Sequence, residues 1–267
     1  MKLNLTKIST LVRLLGSGSA MAGSMGSIDP NVFKQSAYIK LGSGGSYSMN
    51  TNISANPVDW DASPQGYNGN IGHTAIYSSA FGYNYSSLIS GDIEYIYRPS
   101  YSYSKFQTST AAGTINFAGN KTRYFDLQSN SLMANIYLHG QGLSDKMKWD
   151  LSSGFSMEPF IGAGIGVAFN TMSNFHAVSA ATPAGANGPV VSMLPDQLRT
   201  SFAWQLSAGL NLYNDTHFNL GAGYRYYNSG TLNSNNYFTD WQIQTSPWKG
   251  KLQSNEFFVT LAYRIDA

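Results

Sequence analysis

The segment Asn255–Ile265 alternates so strictly that it constrains the solvent on each of its faces. Its odd positions are Phe257, Val259, Leu261, Tyr263 and Ile265. Its even positions are Glu256, Phe258, Thr260, Ala262 and Arg264. Side chains alternate between the two faces of a strand, so one face is apolar and the other carries opposite charges. A strand facing lipid on one side and a polar lumen on the other is built this way.

The same period recurs upstream. Thr200–Tyr213 places Phe202, Trp204, Leu206, Ala208, Leu210 and Leu212 on one face. His217–Tyr227 does so with Phe218, Leu220, Ala222, Tyr224 and Tyr226, and Asn214-Asp215-Thr216 between them is a tight-turn composition. Glu158–Asn170 sets Ile161, Ala163, Ile165, Val167 and Phe169 against Gly162, Gly164 and Gly166, which suits a narrow lumen. That glycine run lacks the spacing of a nucleotide-binding loop. Weaker alternation marks Ala37–Met49, Ala75–Tyr85, Asp92–Tyr103 and Ser131–His139, with Pro99 at a bulge or at the membrane edge. These segments predict an all-β, eight-stranded antiparallel transmembrane barrel over residues 37–267. Connections after strands two, four and six are short or moderate and are assigned to the periplasm. Four longer ones, near residues 50–72, 104–130, 171–198 and 228–251, are assigned to the outside. A hidden hairpin at Thr114–Phe117 and Tyr124–Leu127 would raise the count to ten.

Composition agrees with this. Only 11% of the 267 residues are charged, and 14% are aromatic; soluble domains average about 25% charged. Mean hydropathy is −0.21, and no apolar run after the first residues is long enough for a spanning helix. The absence of cysteine excludes disulfides and thiolate chemistry. Residues 1–22 have the features of a cleavable signal peptide: Lys2 and Lys7, an apolar stretch interrupted by Arg13, and Ala20-Met21-Ala22. Residues 23–36 are then a short periplasmic segment. The leader holds three of the sixteen basic residues and no acid, so the remainder carries 13 basic and 14 acidic residues. No basic stripe points to nucleic acid.

Four segments resemble the small eight-stranded outer-membrane barrels, of the opacity-protein-like and OmpA-like membrane-domain type. They are Glu158-Pro-Phe-Ile-Gly-Ala-Gly-Ile-Gly166, Phe202-Ala-Trp-Gln-Leu-Ser-Ala-Gly209, Leu220-Gly-Ala-Gly-Tyr-Arg-Tyr-Tyr227 and Asn255–Ile265. The resemblance implies an outer-membrane location, no cofactor, and contact with outer-membrane lipid and lipopolysaccharide. It implies recognition of the terminal strand by the barrel assembly machinery, and a surface antigen that meets host molecules. The chain departs from the family in ending Ile265-Asp266-Ala267, where an aromatic residue is usual.

Inward-facing charges form the first candidate site: Lys40, Glu94, Arg98, Arg225, Glu256 and Arg264. In so narrow a lumen they are expected to pair as a plug, with a gated water path as the alternative. Tyr77, Tyr83, Tyr85, Tyr95, Tyr97, Trp204, Tyr224, Tyr226 and Tyr263 suit interfacial girdles. Trp60, Trp241 and Trp248 lie in predicted loops, as contact residues or as loop packing. The histidines His73, His139, His176 and His217 show neither metal-ligand spacing nor a sequence spacing with Ser and an acid. The expected role is a non-enzymatic surface structural or adhesin-like protein. The alternatives are a low-conductance pore and a lipid-modifying enzyme.

Overall fold

A computed structural model describes residues 35–49, 51, 53, 71–107, 121–151, 154–181, 186–214, 217–238, 243–244 and 247–266. The predicted leader and Trp60, Trp241 and Thr114–Phe117 fall outside those residues.

Eight strands make the barrel. They are β1 (Ser36–Ser48), β2 (His73–Asn84), β3 (Ile89–Gln107), β4 (Lys121–His139), β5 (Phe155–Ala181), β6 (Gln197–Asn214), β7 (Phe218–Asn233) and β8 (Lys249–Asp266). Each pairs antiparallel with its sequence neighbours, and β8 returns to β1 with Ile39 opposite Tyr263 and Leu41 opposite Leu261. That last ladder closes the sheet, so no edge is left in the lipid. Among the described residues no helix is long and apolar enough to cross a membrane.

Side-chain placement follows the alternation. On β8, Phe257, Val259, Leu261 and Tyr263 are exposed, while Leu252, Ser254, Glu256 and Phe258 are buried. Ile39, Phe81, Ile93, Ile136, Ile165, Leu206 and Leu220 extend the exposed apolar band around the barrel. A continuous apolar exterior of this extent is incompatible with water and matches the lipid face of a membrane barrel. Aromatic contacts lie near both limits of the band: Tyr47–Phe257, Tyr224–Phe257 and Trp204–Tyr226 toward the long loops, and Tyr83–Tyr85 and Phe218–Tyr263 toward the short turns.

The strands run well beyond this band. β5 has 27 residues, whereas about 9–11 cross a bilayer. Much of the predicted outer loop 171–198 is therefore strand, with Ala186–Leu194 folding back on β5. Tyr124–Leu127 lies within β4 and pairs with β3, so it adds length rather than a ninth strand. Three bulges mark the transition. β3 carries one extra residue between Arg98 and Tyr101, beside Pro99. β5 carries one between Ser173 and His176, where Asn174 has φ 53°. β7 carries one between Asn228 and Thr231, where Gly230 takes φ 76° without the penalty a Cβ would incur. Each insertion reverses the side-chain phase of its strand: Arg98 and then Tyr101 both point inward.

Candidate functional site: the lumen

Above the bulges the lumen is an apolar core. Tyr101, Tyr103, Phe125, Leu127, Phe175, Leu194, Leu232 and Leu252 are buried there. Tyr103 stacks on Phe125 at 4.5 Å and 13°. Trp248 is 2% exposed and meets Phe175 edge-on at 4.7 Å, with the Arg123 guanidinium 5.0 Å from its ring. Of its two predicted roles the structure selects packing. Trp248 is not an exposed contact residue, because capping this core buries its large apolar surface.

A belt of charge lies beneath. β3 supplies Asp92, Glu94 and Arg98, all at even positions facing inward, and β1, β7 and β8 add Lys40, Arg225 and Glu256. Arg98 binds Glu256 through two parallel hydrogen bonds, Nε to Oε1 at 2.7 Å and Nη2 to Oε2 at 3.1 Å. This bidentate geometry is the strongest form of the Arg–carboxylate pair. Arg98 also lies 3.6 Å over the Tyr227 ring and donates to Ser131 Oγ at 3.1 Å. Ser46 and Ser254 donate to Glu256 Oε1 at 2.8 and 3.1 Å. Arg225 Nη2 reaches both Glu94 oxygens at 3.1 Å, and its Nη1 lies 3.6 Å from Glu256. Asn135 donates to Asp92 at 2.8 Å and to Glu94 at 3.1 Å, and Gln205 donates to Asn135 at 2.7 Å. Lys40 pairs with Asp92 and donates to the Tyr137 hydroxyl at 3.1 Å.

Five of the six predicted lumen charges thus meet in one network, and Asp92 joins them. Its even position on β3, shared with Glu94 and Arg98, is the signal that could have found it. Three cations face three anions, so the belt is neutral and each buried charge has a partner. Arg264 does not join. It is exposed at the turn end, where its backbone N–H donates to the His217 carbonyl at 2.7 Å.

Toward the short turns the backbone leaves room for aromatic side chains. Tyr38 lies across Gly82, where any Cβ would collide with the phenol ring, and Tyr137 meets Phe160 edge-on at 5.9 Å. Below them β3, β4 and β5 bring Ser90, His139 and Glu158 together: Ser90 Oγ is 2.8 Å from His139 Nε2, and His139 Nδ1 is 3.1 Å from Glu158 Oε1. The other histidines stack on tyrosines: His73 on Tyr47, His176 on Tyr124 and His217 on Tyr263. Among the described residues no group of three or more potential ligands could hold a metal.

A closed antiparallel ladder, an apolar outer band and a polar, ion-paired interior define an integral outer-membrane β-barrel protein. No family model matches the chain, and no curated protein matches it. Three solved structures give the nature of the likeness. The outer membrane protein OprG from Pseudomonas aeruginosa is 12% identical over 90% of this chain and 100% of its own, with a TM-score of 0.48. Neisserial surface protein A is 13% identical over 87% and 100%, at 0.39. The outer membrane protease OmpT from Escherichia coli is 11% identical over 91% and 100%, at 0.36.

Proposed function

We propose that this outer-membrane barrel is a sealed structural scaffold that presents its long loops at the cell surface, as an adhesin-like antigen does. The observation that carries this reading is the obstruction of the lumen. A neutral network of Lys40, Asp92, Glu94, Arg98, Arg225 and Glu256 crosses it, and a packed aromatic and aliphatic core covers that network on the loop side. Partners then meet the loops and the outer wall: outer-membrane lipid, lipopolysaccharide and host surface molecules. The barrel assembly machinery is met earlier, through β8. Planar-bilayer recording on the refolded chain tests the seal. The expected result is no steady conductance. Steady openings that disappear in Glu94→Gln or Arg98→Met would overturn it.

A low-conductance pore is the second reading. It is favoured by buried lumenal atoms with no hydrogen-bond partner, among them Arg225 Nε and Nη1, Gln205 Oε1 and the hydroxyls of Tyr227 and Ser229. Buried polar atoms of this kind are the usual partners of internal water. The same recording decides between the two readings.

A further inference from the structure

Ser90, His139 and Glu158 lie outside the charge belt, at the short-turn end of the lumen, and nothing in the scaffold reading uses them. Their hydrogen bonds run in a fixed order. A carboxylate only accepts, so Glu158 Oε1, 3.1 Å away, holds the proton of His139 on Nδ1. In the neutral ring Nε2 is then the acceptor, and Ser90 Oγ, 2.8 Å from it, is the donor. The hydroxyl, the base and the group that orients the base are therefore already aligned, as nucleophilic catalysis requires. The strands explain the alignment. Ser90 faces Tyr137 across the β3–β4 ladder, His139 faces Phe160 across β4–β5, and Glu158 lies one inward position from Phe160. All three point inward at one height.

We propose that Ser90 is a nucleophile and that the periplasmic mouth of the barrel is a serine acyl-hydrolase site for short-chain carboxylic esters. As the ester enters, the Ser90 hydroxyl proton passes to His139 Nε2 and the Oγ–carbonyl carbon bond forms. The carbon–alkoxy bond then breaks, and the departing oxygen takes the proton from His139 to leave as an alcohol. Water repeats the sequence: it gives a proton to His139, its hydroxyl adds to the acyl carbon, and Ser90 leaves with the proton. The products are a carboxylic acid and free enzyme. Glu158 holds the imidazole tautomer and faces the imidazolium that forms.

The substrate class follows from the surroundings. Glu158 contacts His139 directly, and Asp92, two residues along β3 from Ser90, is paired with Lys40. A phosphoryl group would therefore meet net negative charge, whereas a neutral carbonyl would not. Ser90 is only 2% exposed, while the His139 side chain keeps 16%. Access is therefore from the His139 side, and the burial of Ser90 favours a short acyl group over a long one.

The test uses the full chain refolded in detergent, with heat-modifiable migration as the check of folding. A fluorophosphonate probe is applied, the labelled residue is located by mass spectrometry, and hydrolysis of p-nitrophenyl acetate is followed. The expected result is a label on Ser90. Ester turnover is lost in Ser90→Ala and falls about 10²–10⁴-fold in His139→Gln. Glu158→Gln shifts the pH profile of turnover, a readout that a merely structural role would leave in place. An unlabelled Ser90 in folded wild type overturns the proposal even if no variant folds. Turnover unchanged in folded Ser90→Ala overturns it as well.

Discussion

Below the bulges the barrel turns apolar residues outward and polar ones inward; above them it does the reverse. On β4 the two regimes follow one another without a break in phase. Leu132, Ala134 and Ile136 face out while Ser129, Ser131 and Asn135 face in, and further along Phe125 and Leu127 face in while Tyr124, Asp126 and Gln128 face away from the core. The backbone ladder is the same in both. What changes is the medium outside: lipid below, where the exterior must be apolar and the interior can be ionic, and water above, where the barrel is an ordinary small β-protein with an apolar core. The bulges on β3, β5 and β7 lie where one regime gives way to the other.

The comparison breaks most forcefully in the interior of the lower half. Glu256→Ala strands Arg98 and leaves Arg225 with Glu94 alone. The expected loss is about 3–5 kcal/mol, read as a lower urea midpoint with folded and boiled forms resolved on a gel. The double change Arg98→Met with Glu256→Leu removes both partners and is expected to cost far less. If it costs as much as the single change, the belt is held by something other than pairing.

Exterior charge sharpens the contrast between the two media. Leu261→Arg places a cation midway along the lipid face of β8, at an expected cost of about 2–4 kcal/mol in lipid vesicles. Gln128→Arg, outward on the loop-side extension of β4, is expected to stay within about 0.5 kcal/mol of wild type. Equal penalties at the two positions would mean that the lipid boundary does not lie between them. A smaller effect is expected in the upper core. Tyr103→Leu keeps an apolar side chain and removes the stacking on Phe125, at about 0.5–1.5 kcal/mol in the same unfolding assay.

Legibility in sequence followed the same division. β8, β6 and β7 stand out because lipid demands an apolar residue at every second position, and polar or small residues fill most of the rest. The upper extensions do not. Arg123, Phe125 and Leu127 point inward there, but the interleaved Tyr124, Asp126 and Gln128 reach the loop side, where neither apolar nor polar character is enforced. Length was lost for that reason, and residues such as 171–181 pass for loop. The charges of the belt were legible as inward positions, whereas their pairing depended on barrel closure, which brings Arg98 beside Glu256 across 158 residues. Trp248 shows the opposite failure: a tryptophan among loop residues gives no sign that it packs into the upper core. The Ser90–His139–Glu158 relay had no sequence signal, since 49 and 19 residues separate its members.

The smallest predicted effect isolates what burial contributes to a charge. Asp150, in the short strand Trp149–Asp150 of the turn below β4, is fully exposed and accepts a 2.6 Å hydrogen bond from Ser156 Oγ, with Lys148 Nζ 3.4 Å away. The Ser156 bond, followed by Lys148, holds its carboxyl below the ordinary value of 3.8. A carboxylate depressed on folding stabilises the folded state above its unfolded pKa and ceases to do so as pH falls through the folded value. The window therefore lies below about pH 4, and solvent and salt screening keep the effect small. In Ser156→Ala the Asp150 titration observed by NMR is expected to move upward, while the global unfolding midpoint at neutral pH stays where it is. Glu256, with the same carboxylate and stronger partners, is expected to govern that midpoint, and the difference between the two lies in water. A Ser156→Ala midpoint that fell as far as that of Glu256→Ala would show that the turn, and not the lumen, limits the stability of the barrel.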